Sequence, residues 1–204
     1  QNSGLLVYGG FIIGFDSDTE EIFDRQIDFI TQAAIPYAMV GVLGALPGTP
    51  LYRRMRDAGR LRGGTFDGDN QCGYTNIVTL LPHKALLEGY RKIIGSIYTS
   101  NAFFARTSQA LSRMPRPDSI KGRIQVFRRL YKLYNIGNRS IRKRLELMYR
   151  VFRGLPHDFR QQSLRFLGSV LWKRPELFPG AASLVAVGLH FWQFSVERVL
   201  PQLD

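Results

Sequence analysis

Leu5 to Gly14 reads LLVYGGFIIG, and Phe15-Asp16-Ser17-Asp18-Thr19 follows it. A short, nearly continuous apolar run with glycines fits a strand buried on both faces of a parallel sheet. The polar residues after it turn the chain. Asp18 is placed to cap a helix, with Glu21 three residues on as its capping-box partner. Phe23, Ile27 and Ile30 then share one helical face, Glu21 and Arg25 form an i,i+4 pair, and Pro36 ends the helix.

Working outward, Tyr37 to Leu46 (YAMVGVLGAL) is a second strand-like run. Thr49 is a good N-cap, Pro50 a good first helical residue, Leu51 and Met55 share a face, and Gly59 is placed to stop the helix. Strand–helix–strand–helix is the crossover unit of an α/β sheet or barrel. Residues 60–82 are expected to be irregular, with Asn76-Ile77-Val78 as a short extended piece. Pro82 opens a helix carrying Leu86, Tyr90, Ile93 and Ile97 at helical spacing.

Beyond Asn101 four amphipathic segments are expected. Two are capped by Ser119 and Ser140, a third carries Leu164, Leu167 and Leu171 as its core stripe, and a fourth runs from about Ala181 to Leu200. Short connections make these an all-α helical bundle. The expected domains are therefore 1–100, α/β, and 101–204, a basic helical domain. Phe178 to Val196 holds nineteen residues without a formal charge, close to the length of a membrane span. A bundle helix is the favoured reading, with a peripheral membrane contact as the other.

Of 204 residues, 28 are Lys or Arg and 16 Asp or Glu, a net charge of +12. The excess lies in one half. Residues 1–100 carry nine basic and ten acidic residues (net −1), and residues 101–204 carry nineteen and six (net +13). A basic half suits nucleic acid, an anionic membrane surface or an acidic partner, or is a solvated helical surface. No nucleic-acid motif accompanies it, so no nucleic acid is expected. Cys72 is the single cysteine, which excludes an internal disulfide framework and a cysteine metal cluster. His83, His157 and His190 are scattered without metal spacing, and no nucleophilic triad is visible, so no metal ligand and no catalytic residue is assigned. The Arg142-Lys143-Arg144 run reads as a solvated helix face or, more sharply, as a phosphate or lipid-head contact.

Gly10 and Gly14 stand four apart near the C-terminal end of the first strand, where ligands sit in α/β folds. Glycine there lets a planar ligand approach the backbone, with Ile12 as an apolar wall. A glycine kept for helix–sheet packing is the equal alternative.

GGFIIGFDSDT resembles the fifth-strand G-x-I-x-G motif and acidic-Thr turn of radical S-adenosylmethionine (SAM) enzymes. Gly10, Ile12 and Gly14 match its letters, and Asp18-Thr19 its turn. AMVGVLGALPGTPLYRRM is similar to the sixth strand and following loop of the cobalamin-binding branch. Asp69-Asn70, Thr75-Asn76-Ile77-Val78 and Glu88-Gly89-Tyr90-Arg91 also resemble that branch, and the basic helices its C-terminal domain of unassigned function. The resemblance implies an α/β partial barrel followed by a helical bundle. It implies SAM, a [4Fe–4S] cluster and cobalamin as cofactors, and frequent methylation of unactivated carbon; the basic helices and apolar last helix, which could meet a membrane, add the expectation of an apolar or lipid-like substrate. The resemblance places adenine against Gly10, Ile12 and Gly14, with backbone help from Val42 and Leu43, and puts Asp69, Asn70 and Asn76 on the substrate side.

The departure is the missing C-x-x-x-C-x-x-C triad. Three thiolates hold that cluster, so these residues alone are expected to be inactive. They read as the C-terminal fragment of an enzyme whose cobalamin segment, cluster segment and early barrel strands lie upstream. The expected location is cytoplasmic, or peripheral at the inner membrane face. The alternative is a noncatalytic basic helical module that docks a protein partner or an anionic membrane.

Overall fold

The computed structural model describes residues 1–63, 68, 73–116, 124, 125, 128 and 152–202. Asp69, Asn70, Cys72, Ser119, Ser140 and Arg142-Lys143-Arg144 lie outside the described residues. Two compact units emerge. One comprises Leu6–Ala102 and Phe191–Asp204, the other Gln1–Leu5 and Phe103–His190. Gln1–Leu5 thus clusters with the helical unit, and the chain end with the α/β unit.

In the α/β unit, β1 (Tyr8–Ile13), α1 (Glu21–Gln32), β2 (Tyr37–Val42), α2 (Pro50–Asp57) and α3 (His83–Ile97) follow the expected order. The strands pair in parallel, from Tyr8 opposite Tyr37 to Ile13 opposite Val42. Ile13, Ala38, Val40 and Val42 meet Phe23 and Ile30 of α1 and Leu86, Tyr90, Ile93, Ile94 and Ile97 of α3 in one core. That core forms because the helices present apolar residues at three- and four-residue spacing to the alternate residues of the strands. Gly89 lets α1 and α3 approach, since a methyl there would sit 2.3 Å from the Phe23 ring.

The local signals of α2 hold. The Thr49 hydroxyl accepts the Tyr52 N–H at 3.1 Å. Gly59, at φ +65°, closes the far end, where the N–H of Arg60 reaches the Met55 carbonyl. Asn76-Ile77-Val78 is extended as expected, bridging antiparallel to Leu61. The capping expectation for α1 is corrected. Glu20 holds the cap position without a side-chain hydrogen bond, and Asp18 serves the turn before it.

A second correction concerns β1. Its burial alternates instead of covering both faces. Tyr8, Gly10 and Ile12 are exposed, while Phe11 and Ile13 turn toward the helices. The β2 part of that face is covered at Tyr37, which is buried between Tyr8 and Phe191, while Gly10, Ile12 and Met39 stay exposed. The two edges of the sheet also differ. The N–H of Leu43 donates to the Ile13 carbonyl, so odd-numbered residues of β2 face β1. The Ala38 and Val40 carbonyls then point to the opposite edge, where the Tyr98 and Tyr90 hydroxyls donate to them. The edge of β2 is thus closed by tyrosines. On the outer edge of β1, Gln26 donates to the Ile12 carbonyl at 3.1 Å.

The helical unit contains most of α4 (Ser100–Arg113), α5 (His157–Lys173), a 3-10 turn (Pro175–Leu177) and most of α6 (Phe178–Gln193). Helix α4 was not among the expected segments. Its Phe104 ring packs on Phe159 and Phe166 of α5 at centroid distances of 5.1 and 5.3 Å. Arg174 is buried and pairs with buried Glu176 at 2.6 Å, while its remaining donors reach the Leu111, Met114 and Pro115 carbonyls at the end of α4. The expected stripe of α5 is shifted in phase. Phe159, Ser163, Phe166, Leu167 and Val170 are buried, whereas Leu164 and Leu171 are exposed. The fourth segment begins at Phe178 and continues past α6 through a π-helical turn, Phe194–Val199. Pro175–Val199 is long and apolar enough to cross a membrane by length and composition, and 22% of its most apolar window is buried.

Candidate functional site

The C-terminal end of the sheet is built by a turn. Gly14 has φ +98°, a left-handed conformation that glycine adopts without strain. The Asp18 carboxylate holds it, accepting the Gly14 N–H at 2.8 Å and the Phe15 N–H at 3.0 Å. A side chain on Gly14 would meet Leu86 and Thr79. Beside it, Arg60 donates twice to Asp16, at 2.7 and 2.9 Å, and once to the Val78 carbonyl at 2.9 Å. The Arg60 guanidinium, first through its hydrogen bond, holds the Asp16 carboxyl below the usual carboxylate range.

The residues after β2 are braced from the 75–77 segment. The Asn76 amide donates to the Ala45 carbonyl at 2.9 Å and accepts the Ala45 N–H at 2.8 Å. The Thr75 hydroxyl donates to the Leu43 carbonyl at 2.6 Å. Beneath the brace lie Ala45, Met55 and Ile77, with Leu43, Leu51 and Tyr52 against them.

The predicted site residues divide. Gly10 and Ile12 share the open face of β1. Gly14 stands at the strand end as a turn residue. Val42 is fully buried on the helical side, and the N–H of Leu43 is engaged by Ile13. Asn76 is 2% exposed, with both ends of its amide on Ala45, so in this structure it is a loop brace. Sequence reasoning missed Tyr8 and Met39, which the strand register sets on the same face as Gly10. They are 66% and 44% exposed. Tyr8 stacks on Tyr37 with centroids 4.4 Å apart, and burial pushes the Tyr37 hydroxyl well above its ordinary pKa. LLVYGGFIIG is apolar or glycine throughout, so no period-two signal marked this face in the sequence.

The two glycines before Phe11 differ in physical need. A methyl on Gly9 would lie 2.6 Å from the Phe11 ring, so packing accounts for that glycine. A methyl on Gly10 would meet nothing within 4 Å, and its φ is not positive. Mid-strand glycine costs roughly 0.5–1 kcal/mol relative to alanine, and nothing among the described residues offsets that cost. Among the described residues, no three His, Cys, Asp or Glu side chains gather to hold a metal ion. The seam of α1 and α3 is acidic, but Asp24 is paired with Lys92 and Glu88 with Lys84.

Residues 49–200 match the family described as a domain of unknown function, DUF4070, and the chain belongs to that family, a domain found in B12-binding radical SAM enzymes. Among particular relatives, an uncharacterized methyltransferase of Synechocystis sp. is 25% identical over 192 residues, covering 94% of this chain and 34% of its own. The hopanoid C-2 methylase of Rhodopseudomonas palustris is 34% identical over 103 residues, 50% of this chain and 18% of its own. The bacteriochlorophyllide d C-12(1)-methyltransferase of Chlorobaculum tepidum is 32% identical over 102 residues, 50% of this chain and 22% of its own. The chain therefore spans about a third or less of the curated relatives it matches. No solved structure matches it.

Proposed function

We propose that this chain supplies the last two strands of a partial barrel, and the helical domain after it, in a B12-binding radical SAM methyltransferase. The open face of β1 is the wall against which the adenosyl group of SAM lies. One observation carries the reading: Gly10 is a mid-strand glycine with no conformational or packing reason to be one, beside exposed Ile12 and Met39 on the outer face. A parallel sheet is normally covered on both faces, and a two-stranded sheet is too small to stand alone. Closure of the β2 edge by Tyr90 and Tyr98 leaves the β1 side for the earlier strands, which would displace the Gln26 contact.

The residues fit SAM as a planar ligand on Gly10, walled by Ile12 and Met39. They do not fit the [4Fe–4S] cluster, because one cysteine cannot supply three thiolates. Cluster and cobalamin are assigned to other segments of the full-length protein. The cofactors would supply the methyl group and the radical that activates the substrate carbon, and this chain's residues would position SAM and exclude water. Relatives named for hopanoid and bacteriochlorophyllide support a large apolar substrate, which the Tyr8, Ile12 and Met39 side chains suit.

The test is SAM binding to the anaerobically reconstituted full-length protein by equilibrium dialysis, with 5′-deoxyadenosine release as a second readout. Gly10→Val fills the open face without touching the core. It is expected to weaken SAM binding at least about tenfold, by steric exclusion, with the thermal midpoint kept. Wild-type SAM affinity in Gly10→Val would refute the assignment.

A further inference from the structure

Helix α5 is apolar on two sides. Phe159, Phe166 and Val170 face the interior, yet Leu164, Leu171 and Trp172 stand outside at 57%, 55% and 88% exposure. At 100° per residue these three span about 100° of the helix surface, outside the buried face. Arg160 and Arg165 flank them on the two sides. Residues 103–190 of the sequence carry eighteen Lys and Arg against four Asp and Glu, a net +14.

We infer that the outer face of α5 is a docking surface for an anionic lipid bilayer, entered by Leu164, Leu171 and Trp172 and steered by Arg160 and Arg165 beside them and by the net positive charge of residues 103–190. The combination selects this occupant. Tryptophan prefers the headgroup boundary, leucines insert below it, and each basic residue near an anionic leaflet adds about 1 kcal/mol. A nucleic acid would use the charge but leave the leucines in water. The contact lies on the surface and does not span. The apolar stretch from Pro175 onward starts beside the buried Arg174–Glu176 pair, and its far end, Val199, is fully buried in the α/β core. Crossing a bilayer would break both. The inference is independent of the SAM reading.

The experiment is flotation of the full-length protein with phosphatidylglycerol or phosphatidylcholine vesicles across a salt series. Wild type is expected to float with phosphatidylglycerol at low salt and to be released as salt rises. Leu171→Ala with Trp172→Ala is expected to lower the partition constant at least about tenfold, with the thermal midpoint unchanged because both side chains are exposed. Arg165→Glu is expected to weaken phosphatidylglycerol binding only. Brominated lipid is expected to quench fluorescence in wild type that Trp172→Phe lacks. Equal flotation of the double variant and wild type overturns the inference. So does equal binding to both lipids, or a Trp172-dependent dimer or RNA complex in place of vesicle binding.

Discussion

The Asn76–Ala45 brace gives the sharpest test of whether Asn76 is structural. Asn76 is 2% exposed and Ala45 fully buried, and the two hydrogen bonds between them measure 2.8 and 2.9 Å. Asn76→Ala leaves a buried N–H and a buried C=O without partners, at about 1–3 kcal/mol each, so about 2–6 kcal/mol of local stability is lost. Asn76→Asp separates the two bonds. Its carboxylate still accepts from the Ala45 N–H but cannot donate to the carbonyl. Burial and the facing carbonyl raise its folded pKa above the unfolded value of about 3.9. A raised pKa contributes stability that is complete below the unfolded value and is lost as pH rises through the folded one. The gap between this variant and wild type should therefore narrow on acidification. Hydrogen exchange over Leu43–Leu46 in the full-length protein reads both effects. Wild-type protection in Asn76→Ala, or a gap that does not narrow in acid, would refute the brace.

Two further outcomes follow from the same contacts. Gly89→Ala places a methyl 2.3 Å from the Phe23 ring, so exchange protection in α1 and α3 should fall by about 1–3 kcal/mol, and Phe23→Leu should restore part of it. Asp16, whose pKa is lowered chiefly by the Arg60 hydrogen bond, contributes stability above its unfolded pKa of 3.8 that is lost as pH falls through the folded value. Asp16→Asn should therefore cost about 0.5 kcal/mol at neutral pH and nothing well below pH 3.8, read by pH-dependent thermal unfolding.

The sequence by itself determined the features that are local. Strand–helix–strand–helix order, the Thr49–Pro50 start and Gly59 end of α2, the Glu21–Arg25 pair (2.7 Å) and the core stripe of α3 each depend on residues a few positions apart. The family motif was legible for the same reason. Only the tertiary structure decided the rest. A continuous apolar run carries no period-two signal, so the open face of β1 appears only when the register with β2 is known. Asp18 became a turn clamp because α1 starts two residues later than its cap position requires. Asn76 became a brace through a partner 31 residues away. The Leu164–Leu171 stripe turned outward because α4 supplies Phe104 to the opposite side of α5, which fixes the helix's rotation. Sequence spacing sets which residues share a face, but only packing against distant elements chooses which face is buried.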